Sequence, residues 1–296
     1  QQPLFSCQEF LQKAVIIIGL PLIVILVVLI TKRTDWIETG LGLIGKGNGW
    51  WFFPPGVALA SFLGAFAYSG AGGNLNFAQS YYIKEKGFGM GKFTSKITSL
   101  FTPGKKVINI EGSSFIDNNE NFTLWKKWWR LVAGEHFIVF WFIGLVTIIL
   151  LSILAKSLVF GNASASGIDF LYQQSSVLAS RIGPVFSIGF LVVAALMLFS
   201  TQIGVLESSS RIISENFLLI FYKPGFTANP SLAFYVALWG QIVFGIMVLL
   251  LGFGEPRVLL TLSAVLNAVA MMFAFPLVFF LNRKNLVARY RASLPT

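Results

Sequence analysis

Cysteine occurs once in the 296 residues, at Cys7, and histidine once, at His136. A lone thiol excludes an intrachain disulfide framework and any cluster of cysteine metal ligands. One histidine, one cysteine and no grouping of acids provide neither a nucleophile with its base nor a convergent acid set, so an enzyme is not expected. Charge is also sparse, at 11% of residues. No basic stretch, short apolar core and cleavage pattern precede the first apolar run, so no signal peptide is expected. What the chain has in excess is apolar surface. Hydrophobic residues make up 55%, and several runs are long enough to cross a bilayer, which predicts an all-α integral membrane protein whose immediate partner is lipid. The net charge of +10 would point to nucleic acid in a soluble chain. Here the basic residues lie between apolar runs, where they set orientation, and no nucleic-acid partner is expected.

Six spans are predicted within one transmembrane domain over residues 1–296. Span A covers about Ala14 to Ile30, with Pro21 expected to kink it. Span B runs from Pro54 to about Lys84, opened by Pro54-Pro55 in its first turn. Span C covers about Leu131 to Leu154, span D about Ile182 to Leu206, span E about Leu232 to Leu251 and span F about Val258 to Leu281. The segments between are read as loops: Thr31 to Phe53, ending in interfacial aromatics; 84–130, whose ending LWKKWWR resembles a short interfacial anchor; a polar stretch up to Ser180; and a tail over 282–296. Alternating the sides puts Lys13, nine basic residues of 84–130, Arg211, Lys223, Arg283, Lys284, Arg289 and Arg291 together, sixteen of the 22 Lys and Arg. The positive-inside bias then places both ends of the chain, the 84–130 loop and the tail in the cytoplasm, and the protein in a cell inner or plasma membrane.

Span B carries the chemistry. Its apolar run reaches Tyr68 and meets Ser69, Gly70, Ala71, Gly72, Gly73 and Asn74, residues that weaken a helix. An unbroken helix of about thirty residues would be about 45 Å long, well over the roughly 30 Å hydrocarbon core. An interrupted span fits better. Lipid cannot satisfy the backbone groups freed at a break, so a break marks protein or a watery cavity, and the facing half-helix ends suit cations and anionic groups at mid-depth. Ser69, Gly70, Ala71, Asn74 and Asn76 are therefore candidate ion-binding positions over 69–76. The competing reading is a helix-packing seam of small residues.

Gly70-Ala71 followed by a glycine break resembles the sixth transmembrane helix of Nramp-family divalent-metal transporters. The stretch SYYIKEKGFGMG is similar to the continuation in a divergent Nramp-related branch, and SAVLNAVAMMFAFPLVFFLNRK is similar to the family's tenth helix. Spans A to F then correspond to the family's helices five to ten in the LeuT-type arrangement. The resemblance implies the second half of a transporter, a fragment whose missing N-terminal half would contribute the rest of the site. It implies secondary-active movement of a divalent cation of the Mn, Mg or Fe class, by proton-coupled or other ion-coupled symport, with no resident cofactor. Ala71 and Asn74 are the positions it assigns to the transported metal. The family's Met-Pro-His signature is replaced by Gly73-Asn74-Leu75-Asn76, hard oxygen donors better suited to Mg²⁺ or Mn²⁺ than a soft thioether. The alternatives are a carrier of a small organic solute such as an amino acid, its carboxylate held by the second half-helix's amides, and a non-transporting membrane interaction subunit.

Other polar residues have two readings each. Asn267 in span F is either an oxygen ligand at the same cavity or an interhelical hydrogen-bonding group. Thr201 and Gln202 line a path or make a structural contact. Glu207, Arg211 and Glu215, at i, i+4 and i+8, form a local ion-pair ladder or a cytoplasmic gate. Glu135 and His136 would need to lie inside the bilayer to relay protons, and an interfacial place beside Arg130 is expected instead.

Overall fold

The computed structural model describes residues 4–47, 49–52, 55–69, 73–89, 91, 106–107, 116–160, 167–221, 227–252 and 256–291. Among them, α1 (Leu4–Ile30) is followed by α2 (Arg33–Leu43) and a hairpin of β1 (Lys46–Gly47) and β2 (Trp50–Trp51), then by α3 (Leu59–Ser69) and α4 (Gly73–Lys86). After β3 (Lys106–Val107), helix α5 (Asn119–Glu135) runs through a π-helical stretch (His136–Phe142) into α6 (Ile143–Val159). Then come α7 (Asp169–Ile182), α8 (Pro184–Ile220), β4 (Thr227–Ala228), α9 (Pro230–Leu250), α10 (Pro256–Asn285) and a 3₁₀ turn at Ala288–Tyr290. The strands are two-residue antiparallel clips. Lys46 faces Trp51 in one, and Lys106 faces Ala228 in the other, joining the long loop to the α8–α9 connection.

Among the described residues, five helices are long and apolar enough to cross a membrane: Glu9–Ile30, Asn119–Val159, Pro184–Ile220, Pro230–Leu250 and Val258–Asn285. They correspond to spans A, C, D, E and F, so the chain is an all-α, multi-pass membrane protein. Of span B, α3 and α4 are described, with residues 70–72 between them outside the described residues. At about 1.5 Å per residue, α3 and α4 are each shorter than the hydrocarbon core.

Several boundaries depart from the sequence reading. Pro55 does not open a helix, because Gly56 adopts φ +84° and regular structure begins only at Leu59; Pro54 lies outside the described residues. Three segments read as loop contain helices. One is α2. The second is α5 within 84–130, where the Asn118 side chain caps the start by accepting the Asn121 N–H at 2.7 Å. The third is α7, which Gly183 at φ +106° separates from α8, with Pro184 in that helix's first turn. Only glycine takes that backbone angle cheaply. Pro21 lies inside an uninterrupted α1.

The apolar core joins α1, α6, α7 and α8. Leu26, Val27, Ile153, Leu154 and Leu178 are its centre, with Ile23, Leu158 and Phe190 around them. Gly19 lets α1 approach α8 closely, since a Cβ there would stand 3.1 Å from Val193 Cγ1. Polar contacts sort the helix ends into two groups. At one end Ser157 of α6 donates to Asp35 of α2 at 2.9 Å, Lys156 pairs with Glu38, and Arg181 of α7 donates to the Ser157 carbonyl at 3.2 Å. At the other end the C-terminus of α4 meets α5 through Lys86 and Glu135 and meets α8 through Glu85 and Arg211. Arg211 in turn reaches Phe234 near the start of α9. The residues after α10 dock on the same end: Tyr290 donates to Asp117 at 3.0 Å and packs edge-on against Phe122 and Trp125. The long helices therefore pass between a Ser157 end and a Glu85 end.

Candidate functional site

Ser69 is the last residue of α3, and Asn74 and Asn76 lie in the opening turns of α4. Gly70 and Ala71, with Gly72, lie outside the described residues, as do the side chains of Ser69, Asn74 and Asn76. The two half-helices are held differently. Gly64 of α3 is buried against α10, where its Cβ would meet Ala264 at 3.6 Å. Asn267, half-buried, stands one turn along α10 from Ala264, and α10 also packs on α4.

Helix α4, which packs on α8 and α10, also makes several polar side-chain contacts. Ala78, Tyr82 and Glu85, at i, i+4 and i+7, share one face. Glu85 accepts from Arg211 Nη1 of α8 at 2.7 Å, while Arg211 Nε and Nη2 both contact Glu207 Oε1 at 2.7 Å. The three side chains are only 5–8% exposed. The Arg211 guanidinium lies 5.7 Å from the ring of Phe234, which is fully buried. On another face of α4, Gln79 and His136 Nδ1 are 3.0 Å apart, and Lys86 pairs with Glu135. A third face offers the Tyr81 hydroxyl and Lys84, 4.0 Å away, to Glu215.

Burying charges this way is expensive unless each is paired, and removing one partner of such a set costs about 3–5 kcal/mol. Small residues make the approach possible. Ser208, Ser210 and Ser214 of α8 are buried and turn their hydroxyls back to the carbonyls of Val205, Leu206 and Arg211. Gln241 of α9 donates to Ser210 Oγ at 2.9 Å.

The Glu207–Arg211 pair is the predicted i, i+4 contact. Glu215 departs from the predicted ladder and faces α4 instead. Glu135 and His136 also face α4, through Lys86 and Gln79. Thr201 and Gln202 are exposed on α8, and Thr201 donates to the Met197 carbonyl at 2.8 Å. Glu85 was missed, because a single acid in the run Lys84-Glu85-Lys86 reads as a solvated helix exit. Its spacing from Ala78 and Tyr82 was the available signal. Among the described residues, no three His, Cys, Asp or Glu side chains gather as metal ligands. No protein-family model, no curated protein and no solved structure matches the chain.

Proposed function

We propose that this chain is the part of a secondary transporter that holds a divalent cation, of the Mn²⁺, Mg²⁺ or Fe²⁺ class, at the gap between α3 and α4. One observation supports the reading: span B, the second of the six expected, falls on α3, which runs to Ser69, and α4, which starts at Gly73, beside helices long enough to cross a membrane. Backbone groups freed at mid-depth need an ion, water or protein in place of lipid. The carbonyls ending α3 and the oxygen of Asn74 would supply hard donors of the kind that Mg²⁺ and Mn²⁺ prefer, and Asn267 of α10 is the candidate from another helix. The likeness of 69–91 and 263–284 to Nramp-family helices supports the same cargo, ion coupling and LeuT-type arrangement. The basic bias of the Glu85 end supports a cytoplasmic place for it in an inner or plasma membrane.

Uptake of Mn²⁺ by the full-length protein in sealed vesicles tests the reading. Asn74→Leu is expected to lower the rate at least tenfold without changing the amount of protein in the membrane; unchanged uptake removes Asn74 from the site. Competition between cargoes separates the metal from the main alternative. If unlabelled amino acids and not divalent cations block labelled uptake, the amides that open α4 hold a carboxylate and the cargo is an organic solute.

A further inference from the structure

We propose that α5 docks on an anionic bilayer surface, with Lys126, Lys127 and Arg130 recognising acidic phospholipid headgroups. The surface is independent of what the protein carries. Its level is set by the residues that follow it. Phe, Ile, Val, Phe, Trp and Phe at 137–142 are 39–57% exposed, and six successive residues of a helix cover all of its sides. Apolar exposure in every direction requires acyl chains, so the hydrocarbon begins close to Phe137. At about 1.5 Å per residue, Arg130 stands about 10 Å further along the helix, where a headgroup layer is about 5–8 Å thick. A guanidinium on its long stem reaches that layer.

The rest of α5 has the pattern of a helix at that interface. None of its residues is buried. Leu124, Trp128 and Leu131, at i, i+4 and i+7, share one face, with Trp125 and Trp129 beside it. Phe88 covers Trp128 in part and Tyr290 covers Trp125, while Leu124, Trp129 and Leu131 remain 47–61% exposed. Such a strip is covered when the helix lies against the headgroups with its apolar side in the acyl boundary. The cations stand where that placement needs them. Arg130 is four residues from Lys126 and three from Lys127, so the three share a further face; Lys126 lies one turn from Trp129, and Lys127 one turn from both Leu124 and Leu131. Among the described residues none of the three is in an ion pair, and the Lys126 ammonium lies 4.3 Å from the Phe122 ring. Of the acids nearby, Glu135 is held by Lys86 and Asp117 by Arg289, while Glu120 is in the first turn of α5, two turns from Lys127. Three unmatched positive charges at a membrane surface prefer acidic to zwitterionic lipid, and salt weakens the preference.

A probe at Leu124 reads both the depth of α5 and the lipid beside it. In the full-length protein with its native cysteines replaced by serine, Leu124→Cys is labelled with bimane and placed in phosphatidylcholine nanodiscs. The discs hold an equal fraction of a lipid with a nitroxide near its carbonyls, either phosphatidylglycerol or phosphatidylcholine. The phosphatidylglycerol is expected to quench at least threefold more strongly at low salt, and salt at about 0.5 M is expected to remove most of the difference. Lys126→Gln, Lys127→Gln and Arg130→Gln together are expected to abolish it, while Arg283→Gln with Lys284→Gln, at the end of α10, is expected to leave at least a twofold preference. If the triple variant does not yield a monodisperse protein, Lys127→Gln and Arg130→Gln decide singly, each lowering the ratio. Equal quenching by the two lipids without these substitutions overturns the site, as does a preference that survives them or is lost equally in the α10 variant. Absence of quenching by either lipid also overturns it, because α5 would then stand away from the bilayer. Equal quenching combined with binding of a soluble acidic peptide that the triple variant loses would assign the face to a protein instead.

Discussion

Asp35 accepts the Lys32 N–H at 2.9 Å and the Ser157 hydroxyl at 2.9 Å. The Lys32 N–H foremost, then Ser157 and the nearby Lys156, hold its carboxyl below the ordinary carboxylate value against a smaller opposing effect of desolvation. A carboxyl whose folded value is depressed contributes stability above its unfolded value of about 3.9 and loses it as pH falls through the folded value. Wild-type protein in detergent is therefore expected to lose more thermal stability between pH 7 and pH 3 than Asp35→Asn does, and parallel melting curves would contradict this. The residue scale is also where the sequence was least legible. Arg211 and Glu207 could be paired from their spacing, because four residues is one helical turn. Glu85 could not be added to them, because nothing local says which side of α4 faces α8 across 126 positions of chain. The run Gly70 to Gly73 could be singled out from composition alone, since four small residues in succession, three of them glycine, weaken a helix.

At the scale of elements, long apolar runs were readable because burial in lipid demands continuous apolar length. Their partners were not. The helices α2, α5 and α7 carry charge on one side and pack or anchor on the other, so their composition matches a loop. Asn118 before α5 and Asp169 in the first turn of α7 were the capping signals that marked them. Packing between elements also depends on positions that composition hides. Gly19 is one, because the 3.1 Å clearance to Val193 leaves no room for a side chain between α1 and α8. Gly19→Leu is expected to cost about 1–3 kcal/mol through overpacking, read as a lower melting temperature, while Gly245→Leu on α9, where a Cβ meets nothing within 4 Å, is expected to be close to neutral. Equal losses at the two glycines would show that the α1–α8 seam is looser than described.

For the whole molecule, the division of labour is between a greasy half and a charged half. The apolar core of α1, α6, α7 and α8 gives a rigid support near the Ser157 end, and the buried ions of α4 and α8 concentrate at the Glu85 end. The proposed site falls on residues 70–74 of span B, and the account stands or falls with their surroundings. Thiol accessibility in native membranes measures that most directly. A single cysteine at Ala71 is expected to react with a small water-soluble methanethiosulfonate far faster than one at Val243, an exposed apolar position on α9, and Mn²⁺ is expected to slow the reaction at Ala71 alone. A cysteine at Ala71 as inert as the one at Val243 would contradict the account, because it would place the gap against acyl chains, where no cation can be held.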